Sequence, residues 1–467
     1  MASNQTSKNL SRLEMGGSQP TEQSRTVLRT WQRNVILFIV SWNCLVVTST
    51  STSLLIATPE IASDLNTTPE ILNAGNAGLL IAMGCSALFW SPLAELTSRR
   101  ISYNLAMLVL LGASIGTALA KDMGTFTAMR LLSGLEGTFF MVAGQTIIAD
   151  IFKPTVRGRA VGCQMVGAVA GTAIGPCIGG IILTYSNWRS IYWLQVAQAG
   201  LGFVLSLAFI PQIQSETQQL YEKNGDTEIS ALRVWQSFNP IRIFKLYFRP
   251  QVLLADLTCG FLAITQYALL TSVRHIINPR FNLTTPLVSG LFYIAPGAGF
   301  IVGSLVGGRI SDHTVKQWIA KRDGLRLPKD RLNSSLVHLF IVLPISMLLF
   351  GWSLEKNIGG LALPIVMAFW IGVGLMGAFN GLNTYTAEIE VFPDQRAEVV
   401  SSKYVLQYVF GASATGAVVP LLNSIGVGWS FTFFTFFKIL GGALLLVVAR
   451  FAPDTGVWAH DSQQASS

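Results

Sequence analysis

Long apolar runs, separated by short polar ones, fill most of this chain. "NLAMLVLLGASIGTALA" from Asn104 and "FTFFTFFKILGGALLLVVA" from Phe431 are each near the length that carries a helix across a bilayer, about 20 residues. On that measure spans are expected near 34–57, 72–93, 101–120, 126–149, 160–183 and 190–211, and again near 251–272, 286–309, 334–352, 360–382, 398–421 and 429–450. The pattern predicts an all-α integral membrane protein of about twelve helices in two sets of six. The first set covers 34–211 and the second 251–450, with a polar linker over 212–250. The polar ends, 1–33 and 451–467, predict disordered extensions rather than domains.

Composition agrees with a lipid environment, since 51% of the 467 residues are hydrophobic and only 12% charged, against about 25% in soluble domains. With both termini placed in the cytosol, the inner loops and tails collect about 25 of the 32 Lys and Arg. The outer loops keep Lys121, Arg189, Arg274, Arg280 and Lys356, while Arg130 and Lys438 fall well inside spans. That bias accounts for the formal charge of +8 without nucleic acid as a partner. Residues 1–33 lack the apolar core of a cleaved signal peptide, so the first span is expected to act as the signal. The five cysteines fall in spans without CxxC spacing and read as packing residues. Sequons at Asn66 and Asn282 fall in expected outer loops, whereas Asn333 falls inside.

Gly167, Gly171, Gly175 and Gly179 recur every four residues along the fifth span, forming a flat stripe that lets two helices touch backbone to backbone. Pro176 is expected to bend that helix. The run "GTAIGPCIGG", Gly171 to Gly180, resembles the antiporter motif of the drug:proton antiporters within the major facilitator superfamily. "SPLAELTSRR" from Ser91 resembles the superfamily's loop between helices two and three, with Ser91 and Ser98 in place of glycines and Glu95 in place of aspartate. "GGRISDHT" repeats that loop in the second half, Gly308 aligning with Ser91 and Asp312 with Glu95, as fused six-helix repeats would give. The resemblance implies twelve helices in two bundles around a central cavity, and a transporter rather than an enzyme, with no cofactor.

Charged residues in or beside spans are the candidate site. Arg130 is expensive in lipid unless it meets a partner or water, and its context "RLLSGLEG" resembles the family's fourth-helix motif, linked there to proton coupling. On an ideal helix Glu136 is turned about 120° from Arg130 and is expected to answer another helix. Asp256, Tyr267 and Arg274 are spaced to share one stripe of the seventh span, and Asn380 and Asn383 one face of the tenth. The resemblance makes helices 1, 4, 7 and 10 line the path. At the cytosolic mouth Glu95, Arg99, Arg100, Asp150, Arg157 and Asp312 are expected to form a gate of ion pairs. Lys438 fits no account at this stage. "GVGLMG" from Gly372 matches a dinucleotide-site spacing but lies inside an apolar span and reads as packing. The four histidines are scattered, without metal spacing.

Stretches such as "LVSGLFYIAPGAGFIVGSLVGGRISD" and "LLADLTCGFLAITQY" look like the fungal itaconate exporters. This resemblance implies a monomeric cell-membrane exporter of itaconate or a related dicarboxylate. Arg130 and Arg274 would then meet the anion, with protons as a second partner. An inside-negative membrane already drives a dianion outward by about 4 to 5 kcal/mol per 100 mV, so export of such an anion need not require a proton. The alternative is proton-coupled efflux of an apolar or cationic toxin, with Glu136 or Asp256 as the proton carrier.

Overall fold

The structure, a computed structural model, describes residues 29–152, 154–211, 241–277, 280–281, 285–323, 327–388 and 396–451. Most of the expected head, most of the linker and nearly all of the tail lie outside these residues. Among the described residues, twelve helices are long and apolar enough to cross a membrane. They are α1 Thr30–Thr52, α2 Pro69–Trp90, α3 Arg99–Leu119, α4 Met123–Ile148, α5 Ala160–Tyr185 and α6 Arg189–Phe209. The second six are α7 Pro250–Ser272, α8 Pro286–Lys321, α9 Lys329–Lys356, α10 Ala362–Thr386, α11 Ser401–Ile425 and α12 Val427–Phe451.

Each expected span finds its helix, with α8 the main departure at 36 residues. Hydrophobicity ends near Arg309, but the helix continues because Ser311 and Val315 still bury one face. Apolar side chains such as Phe38, Leu108, Trp193, Leu349 and Phe436 stay exposed on the outside, where lipid replaces the missing core.

Equivalent helices pair in the two halves. α1 packs on α5 as α7 packs on α11, α3 on α6 as α9 on α12, and α2 on α4 as α8 on α10. The halves meet through α2 with α11 and α5 with α8, which are again equivalent pairs. This two-fold pattern is the structural form of the duplicated loop seen in the sequence.

Glycine sets the closest approaches. A Cβ on Gly167 would strike the carbonyl of Ser41, on Gly171 that of Leu45, and on Gly175 that of Ser49 at 2.8 Å. The stripe therefore lies on the backbone of α1. Gly180 faces the other bundle, where a Cβ would meet the Pro286 carbonyl at 2.7 Å and the Cα of Gly290 at 2.9 Å. Pro176 does not interrupt the helix, which runs from Pro154 to Tyr185. Gly299 and Gly303 make the same kind of contact with the Phe369 and Val373 carbonyls of α10. Gly372, from the dinucleotide-like run, sits over the Pro296 carbonyl, 2.5 Å from where its Cβ would lie, so this run is helix packing.

Several spans are interrupted where polar groups cluster. After α1 the helix resumes at Leu54–Asp64 beyond Ser53. The buried hydroxyls before that break bond back to their own helix, Ser49 to Val46 O at 2.8 Å and Ser51 to Thr48 O at 2.8 Å. Hydroxyls answered this way are tolerable in oil. Asp64 in turn pairs with Arg189 at 2.5 Å and accepts from the Trp188 indole, tying the end of α1's continuation to the start of α6. The Arg189 hydrogen bond holds the Asp64 carboxyl below its ordinary value. A depressed pKa of this kind adds stability above the unfolded value and loses it as pH falls through the folded one. The pair is partly exposed, so Asp64→Asn should cost less than about 1 kcal/mol, a small fall in melting temperature that disappears in strong acid.

Candidate functional site

The N-terminal half of the site is built around Arg130. Asp122 caps the start of α4 by accepting from the Thr125 amide at 2.8 Å, and Arg130 follows about two turns later. Its guanidinium donates to Thr50 O of α1 at 2.7 Å and to Asn76 Oδ1 of α2 at 3.0 Å. It also lies over the Tyr192 ring of α6, 5.9 Å from the centroid. Arg130 is only 2% exposed, faces protein rather than lipid, and has no carboxylate on it among the described residues. A guanidinium held by neutral groups keeps its full positive charge uncompensated inside the bundle.

Glu136 is fully buried, and neither of its carboxyl oxygens has a hydrogen-bond partner. The ideal-helix angle to Arg130 does not hold, because the helix stops at Gly134 and restarts at Gly137. The break packs on α2, where Thr138 donates to Met83 O at 2.8 Å and Ser86 accepts from the Phe139 amide at 3.1 Å. No acceptor or donor in that contact reaches Glu136, so it does not answer a neighbouring helix as expected.

In the second bundle Asp256 of α7 is fully buried and accepts from Ser402 Oγ of α11 at 2.8 Å, while its other oxygen has no partner. Tyr267, further along α7, faces Tyr408 with ring centroids 6.5 Å apart and lies against Gly411. Asp256 and Tyr267 thus share the α11-facing side. Beyond Tyr267 the α-helix ends at Ser272 and a wider turn follows over Val273–Ile277. Asn380 and Asn383 likewise part company. Asn380 donates to Ser304 O of α8 at 2.7 Å, a packing clip, whereas Asn383 accepts from Lys403 Nζ of α11 at 2.7 Å.

Lys403 is the residue that sequence reasoning missed. It lies near the start of α11 and counts in the sequence as one more inner-loop cation, yet it is 3% exposed and stacks over Tyr404 at 4.3 Å. The usable signal was its place within the expected span 398–421. Lys438, at the middle of α12, is fully buried and its ammonium has no hydrogen-bond partner.

At the expected gate, Ser98 caps α3 and Arg100 donates to Leu207 O of α6 at 2.6 Å, so this arginine braces two helices of one bundle. Arg99 opens the same helix. Asp312 pairs with Arg331 at 3.0 Å, joining the end of α8 to the start of α9, and fully buried Asp330 pairs with Arg322 at 2.7 Å beside it. The side chains of Glu95, Asp150, Arg157 and Arg274 lie outside the described residues. No cluster among the described residues has the composition of a metal site.

Residues 40–414 match the family model for the Major Facilitator Superfamily. The chain belongs to that superfamily. Its relatives include the MFS transporter cpaT of Aspergillus oryzae, 25% identical over 89% of this chain and 86% of the relative. The MFS antiporter QDR3 of Candida albicans is 22% identical over 88% of this chain and 76% of that protein. Among solved structures, the xylose transporter XylE from E. coli, in a partially occluded inward-open conformation, superposes with a TM-score of 0.65 at 13% identity, covering 91% of this chain and 99% of that one. As a major facilitator protein the chain is a multi-pass membrane transporter of small molecules, not an enzyme. The names of its relatives, which include an efflux pump, radE of Floropilus chiversii, and the antiporter QDR3, are consistent with the drug:proton antiporter family.

Proposed function

We propose that this transporter exports a small organic dianion of the itaconate class by alternating access, with Arg130 as its contact in the first bundle. The observation that carries the reading is the uncompensated guanidinium: a full positive charge, buried and held by a carbonyl and an amide, with no acid on it among the described residues. Arginine offers a carboxylate two parallel donors, and an anion would satisfy the charge that Thr50 and Asn76 only solvate. The α5–α8 contact at Gly180 and Gly290 supports a closed outer end, with substrate entering from the face where α1 begins and α12 ends.

A second reading rests on a different observation. Glu136, buried with both oxygens bare, is suited to hold a proton, and QDR3 is named an antiporter. On that reading the cargo is apolar or cationic and leaves in exchange for protons. Flux into vesicles containing the purified protein separates the two, with itaconate and a panel of cationic toxins offered under an imposed pH difference or membrane potential. Potential-driven itaconate uptake supports the first, whereas toxin flux that needs the pH gradient, without itaconate flux, replaces it with the second. Glu136→Gln should leave itaconate export near the wild-type rate. A collapse of pH-driven toxin efflux in the same variant would instead mark Glu136 as the proton carrier.

A further inference from the structure

Lys403 and Asp256 occupy neighbouring helices, and each is left incomplete. Among the described residues Lys403 has one hydrogen-bond acceptor, the neutral amide of Asn383 at 2.7 Å. Asp256 has one donor, Ser402, and one bare buried oxygen. Ser402, which holds Asp256, is the chain neighbour of Lys403, so both charges sit at the same α7–α11 contact, and no ion pair joins them directly among the described residues. A buried ammonium on a neutral acceptor and a buried carboxyl with an empty lone pair are both costly, and direct pairing would relieve both. The other titratable groups around them, among the described residues, are Cys259 on α7, Tyr404 on α11 and Tyr247, whose hydroxyl donates to Ser402 O at 2.8 Å. None of these supplies a second positive charge or a competing carboxylate.

We infer that Lys403 is the carboxylate contact of the second bundle and that Asp256 is its built-in competitor. An arriving carboxylate takes over the bond that Asn383 now accepts, while ionised Asp256 draws the ammonium the other way. A proton on Asp256 removes the competitor and leaves Lys403 to the substrate. The sign follows: anion binding strengthens as pH falls, because one proton is taken up on Asp256 for each anion held by Lys403. This inference rests on the organic-anion reading, and it adds a residue, a partner and a pH sense to it.

The test is itaconate binding to the purified full-length protein, by calorimetry in detergent, for the wild type, Asp256→Asn, Lys403→Gln and Lys403→Arg across about pH 5 to 8. The wild type should bind at least about tenfold more tightly at the acid end. Asp256→Asn should bind tightly at every pH, with the slope gone. Lys403→Gln should lose about tenfold in affinity together with the pH dependence, and Lys403→Arg should recover binding. Thermal unfolding of each variant identifies misfolding, and the surviving Arg and Asn variants then decide the matter. A wild-type slope retained in Asp256→Asn, or wild-type affinity in Lys403→Gln, overturns the inference while the anion reading stands on Arg130. If the wild type binds no itaconate at any pH, both fall.

Discussion

Export should fall by at least about 100-fold in Arg130→Ala, the scale expected when a buried charged contact is removed, while the protein still reaches the membrane. The structure gives Arg130 two duties, so this variant needs a control. Its guanidinium binds Thr50 O and Asn76 Oδ1, and alanine would leave both acceptors facing a void. Asn76→Leu removes the brace to α2 and keeps the charge. Its export should stay within reach of the wild type, apart from a modest loss of stability. Arg130→Lys keeps the charge but not the planar fork, and should retain binding at reduced affinity. Itaconate flux measured against surface protein for the three variants checks the expectation. Equal losses in Arg130→Ala and Asn76→Leu would make Arg130 a structural strut alone.

The second large effect falls on folding. In Gly171→Val the new side chain would enter the Leu45 carbonyl and the Thr48 hydroxyl of α1, so the helix pair must separate. Close glycine packing is a principal attraction between helices in lipid, where water no longer drives association. The variant should therefore fail to accumulate as a monodisperse protein. Gly112→Ala on α3 is the matched control, because nothing lies within 4 Å of its Cβ position. It should be neutral or gain up to about 1 kcal/mol from helix propensity. Size-exclusion profiles of the two proteins after extraction read the difference.

The spans and the glycine stripe were legible because both are written in short-range pattern. Twenty apolar residues mean a crossing wherever they occur, and a four-residue repeat of glycine keeps one face whatever it packs on. The polar site was less legible, because partners there come from different helices and no spacing along one chain names them. Lys403 illustrates the loss: it sits near the inner end of its expected span, where a cation reads as interfacial, and only the approach of α7 and α10 encloses it. Placing Arg274 by an 18-residue stripe relies on one regular α-helix, and the α-helix ends at Ser272. Glu136 fails for the same reason, at the break between Gly134 and Gly137.

The meeting of Gly180 with Gly290 has a consequence for how such a protein can change its cargo. Two peptide chains touching with nothing but hydrogen between them form a fulcrum whose shape does not depend on any side chain. On the alternating-access reading, residues that face the passage can then be exchanged for others without retuning the motion of one bundle on the other. The machine and its selectivity are separable, and a new cargo would need a new lining but no new pivot.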